Sequence, residues 1–307
     1  MLIDVTDKSI EELGERMVPS YHKGALVYGE HIVRYESVLP LLKNKAVLDI
    51  ASGSGYGSYI MSGQAKNVIG VDVDSESVAY ARRNYKRPNV EFKVGDAETI
   101  PLKDASVDVV VTFETIEHIK DYRKFMAEIK RVLKPEGFAI ISTPNDLEFP
   151  EGNHFHLHEF TYKELQKVLG EYFAHTKFSY QYTWLYTAIL NEDMGAKEWD
   201  EKLETLNAAP LQADKAIYFT AICSDKPIKH LELKQLAAIA EHWSAREQQQ
   251  VKKEADALAA RNQEIEALLE KTEDDLRKIY GSRSWRALSV FYRFENRLKR
   301  LLHQRSA

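Results

Sequence analysis

The chain has 307 residues, enough for about two domains, and its 44% hydrophobic, 29% charged and 10% aromatic residues are typical of a globular protein. Its net charge of -5 excludes a nucleic-acid binder that works by bulk electrostatics. The single cysteine, Cys223, excludes an internal disulfide and a four-thiolate metal site and fits a reducing compartment. Without a signal-peptide pattern or a run of about 18 apolar residues, we expect a cytoplasmic protein.

Residues 1–45 are predicted to form an N-terminal helical cap, whose strongest part is YGEHIVRYESVLPLL. Between Val47 and Asn145 the sequence alternates short apolar runs with helix-like segments. Five runs rich in Val and Ile are predicted strands: AVLDIA, VIGVDV, VEFKVG, VDVVVTF and FAIISTP. Three predicted helices lie between them: SYIMSGQ, SESVAYARRNYK and DYRKFMAEIKRVLK. This alternation predicts βαβ units, and therefore an α/β domain over residues 46–227 with a doubly wound, mostly parallel sheet.

Two further elements complete this predicted domain. EFTYKELQKVLGEYF is an amphipathic helix with Thr161 as its N-cap, and AIYFTAICSDKP (216–227) is a strand closed by a turn. Residues 186–215 show little pattern, and we interpret them as an insertion over the site.

Residues 228–280 are predicted to be a helical oligomerisation segment. No Pro or Gly occurs from Leu231 to Tyr280, and a heptad seam follows the spacing 4, 3, 4, 3 through Val251, Ala255, Leu258, Asn262, Ile265, Leu269, Thr272, Leu276 and Ile279. A lone Asn at an a position is a device that fixes register in two-stranded coils. The pattern favours a homodimer through 251–280; the alternative is a single amphipathic helix that lies back on the domain. Gly281 is the predicted end of the helix.

Residues 281–307 form a basic amphipathic tail. One predicted face carries Trp285, Leu288, Phe291, Tyr292, Leu298 and Leu302, whereas seven cations and the single anion Glu295 cover much of the rest. Such a helix suits an anionic membrane surface or an acidic partner, and a docked terminal helix is the alternative. Peripheral contact with the inner membrane is therefore a further expectation.

The stretch VLDIASGSGYGS (47–58) indicates a loop where backbone approaches a ligand. It is not a P-loop, because no Lys follows the glycines. The dinucleotide fingerprint is also incomplete, because Ser58 stands where the third glycine belongs and Asp72 follows sooner than the usual acid.

Five segments occur in order: VLDIASGSGYGS, VIGVDVD, FKVGDAETIPL, VDVVVTFETIEHI and RVLKPEGFAIISTPN. Together they resemble the successive motifs of class I S-adenosylmethionine-dependent methyltransferases over about residues 25–225. The resemblance implies a Rossmann-like seven-stranded sheet and S-adenosylmethionine as cofactor. The family usually has Gly where Ala51 stands.

The resemblance also assigns cofactor roles by position. Asp72 would accept hydrogen bonds from both ribose hydroxyls, Asp96 would take the adenine amino group and the Ala97 backbone the ring edge, and Phe113 would lie by the methionine. The full implied set is Asp49, Ala51, Gly53, Gly55, Asp72, Val73, Asp96, Ala97, Phe113 and Arg34.

Two further segments resemble enzymes of bacterial surface glycans. YHKGALVYGEHIVRYE is similar to the N-terminal segment of methyltransferases encoded with glycan-assembly enzymes, so His31, Arg34 and Tyr35 would reach the methionine carboxylate or roof the site. The alternative is a surface helix with a core-facing Tyr. YGSRSWRAL resembles tails in polysaccharide enzymes, which implies a glycosyltransferase partner.

The methyl acceptor is predicted to meet FETIEH. A sugar hydroxyl needs a general base or a metal to lose its proton, and Glu114, Glu117 and His118 at i, i+3, i+4 would share one helical face. The pattern resembles a site that holds Mg²⁺ with a later His in hydroxyl methyltransferases of quinone rings and RNA ends. Downstream, EGNHFHLHEF supplies His154, His156, His158 and Glu159.

These residues give His118, Glu114 and His156 as catalytic candidates and Glu114, Glu117, His118 and His156 as metal ligands. In relatives without a metal, the same Glu and His residues only build the pocket. The overall interpretation is an O-methyltransferase acting on a glycan or glycan precursor. Alternatives are a phenol or quinol methyltransferase, for which Tyr180, Tyr182, Trp184 and Tyr186 would serve equally, and a non-catalytic coiled-coil scaffold.

Overall fold

The computed structural model describes residues 17–22, 25–148, 156–183 and 212–236, with seven single positions between 261 and 278. The chain divides into two compact units, Met1–Glu241 and His242–Ala307. The first unit contains the sheet and the candidate site. His154, Trp184 and Tyr186, most of the heptad seam and the whole basic tail lie outside the described residues.

The described part of the first unit is built on one seven-stranded sheet. Its strands are β1 (Ala46–Ile50), β2 (Asn67–Asp72), β3 (Val90–Val94), β4 (Val107–Phe113), β5 (Leu133–Pro144), β6 (His175–Gln181) and β7 (Tyr218–Ser224). The order is β3-β2-β1-β4-β5-β7-β6; the pairs among the first five are parallel, and β7 is antiparallel to β5 and β6. The predicted doubly wound, mostly parallel sheet is confirmed.

Helices cover both faces of the sheet. They are α1 (Pro19–His22), α2 (Leu26–Val38), α3 (Tyr56–Met61), α4 (Ser75–Asn84), α5 (Tyr122–Val132) and α6 (Tyr162–Tyr172). Neighbouring strand residues alternate between two cores: Val47 and Val109 pack with α2, α3 and α4, whereas Leu48 and Val110 pack with α5 and α6. Burial on both faces explains why these strands are apolar throughout rather than alternating.

Local capping signals place two of the helices. Asp74 accepts hydrogen bonds from the Glu76 and Ser77 amides at the start of α4. Thr161 caps α6 in a reciprocal capping box with Glu164, so the predicted N-cap is confirmed.

Two elements differ from the sequence prediction. Strand β6 has no predicted counterpart, because HTKFSYQ is a half-exposed edge strand without an apolar run. The helical segment predicted from residue 228 does not begin there: residues 229–236 are not helical. Ile228 is buried in the core, Leu231 and Leu233 pack against it, and the Lys234 amide donates to the Ser37 carbonyl of α2. These contacts hold this stretch on the first unit.

In the second unit, the described positions 261, 265, 268, 269, 271, 272 and 278 are helical. Ile265 and Leu269 of the predicted seam are exposed by 48% and 57%. Helical structure with exposed apolar side chains is what the seam of a coiled coil would show in a single chain. The coiled coil stays a prediction. Across the described parts of the chain, no helix combines the length and apolarity needed to cross a membrane.

Candidate active site

The turn after β1 has the backbone geometry that the glycine-rich stretch predicted. Ala51, Gly53 and Gly55 have φ values of 60°, 52° and 90°, which lie in the left-handed region. At Gly55 a Cβ would also lie 2.5 Å from the Ala81 Cβ and 2.9 Å from the Phe92 ring, so only glycine fits. Ala51 takes the same kind of conformation at a cost of about 1–2 kcal/mol, which explains why glycine is usual there.

Asp72 ties this turn to the end of β2. Its side chain is 4% exposed; Oδ2 accepts a hydrogen bond of 2.7 Å from the Gly53 amide, and Oδ1 accepts one of 3.0 Å from the Asp74 amide. Each carboxylate oxygen has a second lone pair. The carboxylate stands at the position that the resemblance assigns to the vicinal hydroxyls of a ribose.

Asp49 provides a second carboxylate under the turn. It is fully buried, and its Oδ2 accepts a 2.6 Å hydrogen bond from Ser58 Oγ, whereas Oδ1 has no hydrogen-bond partner among the described residues. Burial above all, with nearby Asp72 adding to it, raises the pKa of Asp49 to about 7. The Tyr35 hydroxyl is a further hydrogen-bond neighbour of this carboxyl, which lies where the resemblance places the methionine end of the cofactor.

The remaining cofactor candidates lie along the same edge. Phe113 ends β4, and Asp96 and Ala97 follow β3; since β3, β2, β1 and β4 are adjacent and parallel, their carboxyl ends are neighbours. Phe113 and Ala97 are each 8% exposed, whereas Val73 is 67% exposed. Asp96 is exposed, and its Oδ1 accepts from the Glu98 amide at 2.8 Å.

Helix α2 lies against these strand ends. The Tyr35 ring meets Phe113 edge-on at 4.9 Å between centroids and Tyr56 at 5.4 Å. A Cβ at Gly57 would lie 2.1 Å from the Tyr35 ring, so the glycine makes room for it. His31 Nδ1 lies 2.7 Å from the Tyr56 hydroxyl. Helix α2 therefore packs on the strand ends through Tyr35 and on α3 through His31, and its role as a roof over the cofactor stays a prediction.

Arg34 of α2 forms a buried ion pair with Glu114. Its guanidinium Nη1 lies 2.6 Å from Glu114 Oε1, with side-chain exposures of 3% and 16%, and Arg34 also stacks 4.5 Å over the Tyr218 ring. Ser142 Oγ donates a 2.6 Å hydrogen bond to the same Oε1. Arg34 and Glu114 thus largely neutralise each other at the ends of β4 and β5.

The expected grouping of Glu114 with Glu117 and His118 on one helical face is wrong. Glu114 has a φ of 49° and precedes the 3₁₀ turn Ile116–His118, so its side chain leaves the strand toward α2. Its predicted roles as catalytic group and metal ligand lack the geometry on which they were based.

Glu117, His118 and His156 form a separate cluster, in which one ligand atom from each residue lies within 4.8 Å of the others. His118 Nε2 is 3.9 Å from Glu117 Oε1, and the His118 and His156 rings meet edge-on at 5.0 Å between centroids. Glu117 is 1% exposed; burial, with nearby Glu114 adding to it, raises its pKa well above the usual range. This is the one group of three or more metal-ligating side chains that the described residues bring together.

The described part of the loop after β5 separates His156 from His158. The Leu157 and His158 amides donate to the Glu117 carbonyl at 2.8 and 3.1 Å, which holds His156 against the cluster. His158 turns elsewhere: its Nε2 lies 3.3 Å from the Lys120 carbonyl and its ring meets Tyr122 edge-on.

Sequence reasoning missed the residues that orient both carboxylates. Ser142 contacts Glu114, and Thr143 Oγ1 donates a 2.9 Å hydrogen bond to Glu117 Oε2. The signal was the polar Ser-Thr pair at the end of an otherwise apolar strand. Tyr218, under Arg34, opens β7 and lies far away in sequence.

A glycine turn at the ends of parallel strands, with two buried aspartates beside it, is the arrangement that the resemblance to class I S-adenosylmethionine-dependent methyltransferases implied. The family model described as a methyltransferase domain matches residues 48–141 of the chain. A probable S-adenosylmethionine-dependent methyltransferase of Mycolicibacterium smegmatis is 38% identical over 161 residues, which are 51% of this chain and 62% of that protein. One of Mycobacterium tuberculosis is also 38% identical, over 51% of this chain and 58% of that protein.

Other similarities are more limited. The phthiotriol/phenolphthiotriol dimycocerosates methyltransferase of Mycobacterium tuberculosis is 31% identical over 99 residues, 32% of this chain and 37% of that protein. A solved SAM-dependent methyltransferase structure from Thermotoga maritima is 19% identical, with a TM-score of 0.48, and covers 65% of this chain and 90% of that one. The chain spans 58–62% of the length of its first curated relatives, so these similarities extend to the domain and not to the whole proteins.

Proposed function

We propose that the chain is an S-adenosylmethionine-dependent O-methyltransferase that acts on a hydroxyl of a glycan or glycan precursor. The observation that carries the proposal is the position of two groups along one edge of the sheet. The cofactor side, with Asp49 and Asp72, lies at the ends of β1 and β2. The Glu117–His118–His156 cluster lies beyond β4 and β5, next in the strand order.

The cofactor side of the site fits its ligand by charge and by space. The turn at Gly53 and Gly55 is left-handed, and the carboxyl groups of Asp72 and Asp49 beside it are the proposed partners of the ribose diol and of the ammonium group. Arg34 is the nearby cation for the methionine carboxylate, although Glu114 already neutralises much of its charge. Bound there, the cofactor would supply a methyl carbon made electrophilic by its sulfonium.

The acceptor side of the site must take up the proton of the acceptor hydroxyl. When a neutral hydroxyl oxygen forms the new bond to the methyl carbon, the carbon–sulfur bond breaks and the hydroxyl proton must leave. The proposed destination is the imidazole cluster, where His118 is the member with an accessible ring, 34% exposed. Glu117 lies beside this ring, with its Oε1 3.9 Å from His118 Nε2.

The acceptor class rests on chemistry and resemblance. One relative is named as a methyltransferase of phthiotriol and phenolphthiotriol dimycocerosates, so the name of a related domain points to a hydroxylated acceptor. The N-terminal segment that resembles those of glycan methyltransferases forms α2, which lies over this edge. The relative supports a hydroxyl acceptor, and the N-terminal resemblance is what favours a sugar hydroxyl.

Replacing His118 by alanine tests the chemistry. Turnover is measured with a panel of methyl glycosides and radiolabelled cofactor. We expect it to fall by about 10²–10⁴-fold, because a general base contributes a rate factor of that size. The affinity for the cofactor, measured by calorimetry, should stay within about twofold of the unsubstituted chain. His175→Ala, on the exposed start of β6, is the matched control. Equal turnover of the two variants contradicts His118 as the general base. Methyl transfer only to catechol or quinol acceptors favours the phenol or quinol methyltransferase. A chain that does not bind the cofactor favours the non-catalytic scaffold.

We further propose that the heptad segment 251–280 makes the chain a homodimer. Leu269 occupies a seam position, and Leu268, equally exposed, lies outside the a and d positions. Leu269→Lys should raise the dimer dissociation constant by at least about 100-fold, since two buried leucines are lost per dimer, whereas Leu268→Lys should leave it unchanged. Sedimentation equilibrium measures both; a monomeric parent chain or a dimeric Leu269→Lys variant contradicts the seam. Docking of the basic tail to a membrane or glycosyltransferase stays a prediction.

A further inference from the structure

We propose that Glu117, His118 and His156 form a binding site for a divalent transition-metal ion of the Mn²⁺ to Zn²⁺ series, and not for the Mg²⁺ that the sequence pattern implied. The donor set is one carboxylate and two imidazoles, contributed by a 3₁₀ turn after β4 and by the loop after β5. Imidazole suits Zn²⁺ and its neighbours in the series, whereas Mg²⁺ is bound through oxygen.

The three donors need only a small closure to share an ion. Ligand atoms on one Zn²⁺ stand about 3 Å apart, given metal–ligand distances near 2 Å. The donors here lie within 4.8 Å of one another, and His118 Nε2 and Glu117 Oε1 are 3.9 Å apart. His118 is one third exposed, so its ring has room to turn.

A second observation points independently to a cation. Glu117 Oε1 is buried and has no hydrogen-bond partner among the described residues, although Thr143 satisfies Oε2. A buried carboxylate oxygen without a partner is costly, and an ion at this point would satisfy it. A small cavity at the cluster is lined in part by Glu117, Thr143 and His156, and His158 also borders it.

The surroundings orient the donors as in built metal sites. Thr143 fixes the Glu117 carboxylate by a hydrogen bond, and Glu159 Oε1 lies 3.8 Å from His156 Nδ1, within ion-pair distance but beyond hydrogen-bond distance. The Leu157 and His158 amides tie the two contributing segments together through the Glu117 carbonyl.

The predicted Mg²⁺ site lacks one of its four ligands, Glu114. It required Glu114 as a second carboxylate, but Arg34 and Ser142 hold that side chain. Without Glu114, one carboxylate remains against two nitrogens. The role of a bound ion rests on the proposed function: beside the acceptor it would lower the pKa of a hydroxyl, the task otherwise left to His118.

Metal titration of the full chain, depleted with a chelator, tests the inference. We expect Zn²⁺ to bind in calorimetry at one equivalent, Co²⁺ to develop visible d–d absorption, and Mg²⁺ to fail to displace Co²⁺ at millimolar concentration. His156→Ala and His118→Ala should each weaken Zn²⁺ binding by more than about 100-fold. Loss of a group that only hydrogen-bonds to a metal ligand already lowers metal affinity by about 10–100-fold, and these two residues are ligands themselves. His158→Ala, on the same loop but turned toward Lys120, should leave it unchanged.

Three results would overturn the metal site: no Co²⁺ spectrum, equal losses in His156→Ala and His158→Ala, or competition by Mg²⁺ equal to that by Zn²⁺. Cofactor calorimetry on the same preparation separates this inference from the proposed function. A chain that binds S-adenosylmethionine and transfers methyl groups without a metal site contradicts the inference alone. A chain that binds Zn²⁺ but no cofactor contradicts the proposed function alone.

Discussion

Replacement of Asp72 by alanine is expected to weaken S-adenosylmethionine binding by at least about 100-fold. The substitution removes the acceptor of the Gly53 and Asp74 amides and both acceptors proposed for the ribose. Hydrogen bonds to a charged group are worth about 1.5–3 kcal/mol each, and 1.4 kcal/mol is tenfold in affinity, so loss of two accounts for the expected factor. Isothermal titration calorimetry with the cofactor measures the change.

Asp74→Ala is the matched control for this experiment. Asp74 is the next acid along the chain, but its side chain caps α4 through the Glu76 and Ser77 amides. Its loss should cost about 1 kcal/mol of folding free energy and leave cofactor affinity nearly unchanged. If the Asp72→Ala variant binds S-adenosylmethionine as tightly as the unsubstituted chain, Asp72 is not a cofactor-binding residue. Equal losses in both variants would attribute the effect to the loop and not to the carboxylate.

Much of the fold could be predicted because its signals are local. The central strands β1 and β4 are buried on both faces and are therefore rich in apolar residues, and the capping box at Thr161 and Glu164 lies within four residues. Strand β6 has no such signal, because it is half-exposed and its order comes from pairing with β7, more distant in the chain. Residues 229–236 have a helix-compatible composition, but burial of Leu231 and Leu233 against the core decides their structure.

The candidate site divides in the same way. The positions of Gly53, Gly55 and Asp72 follow from one turn after one strand, and the sequence indicated them directly. The separation of Glu114 from Glu117 could not be predicted from the sequence. Glu114 turns toward Arg34, which belongs to the N-terminal helix α2. The choice of His156 over His158 likewise depends on amide hydrogen bonds to the Glu117 carbonyl, which spacing cannot reveal.

Replacement of Arg34 by methionine is expected to destabilise the first unit by about 3 kcal/mol or more. The substitution keeps much of the apolar volume but leaves the Glu114 carboxylate, 16% exposed, with Ser142 as its remaining hydrogen-bond donor. Removal of one member of a buried ion pair typically costs 3–5 kcal/mol, because the other charge stays desolvated; the exposed fraction of Glu114 places this case at the lower end. Urea denaturation of the full chain, followed by circular dichroism, measures the loss.

The double variant Arg34→Met/Glu114→Gln separates the charge effect from packing. With both charges gone, the loss should be smaller than the sum of the two single losses, and the difference is the coupling energy of the pair. Lys134→Met is the matched control, since the Lys134–Asp108 pair has a similar distance of 2.9 Å but side-chain exposures of 41% and 29%. A solvent-exposed pair should contribute less than about 1 kcal/mol. If Arg34→Met costs no more than Lys134→Met, the Arg34–Glu114 pair does not stabilise the roof of the site, and Glu114 returns as a candidate for the acceptor side.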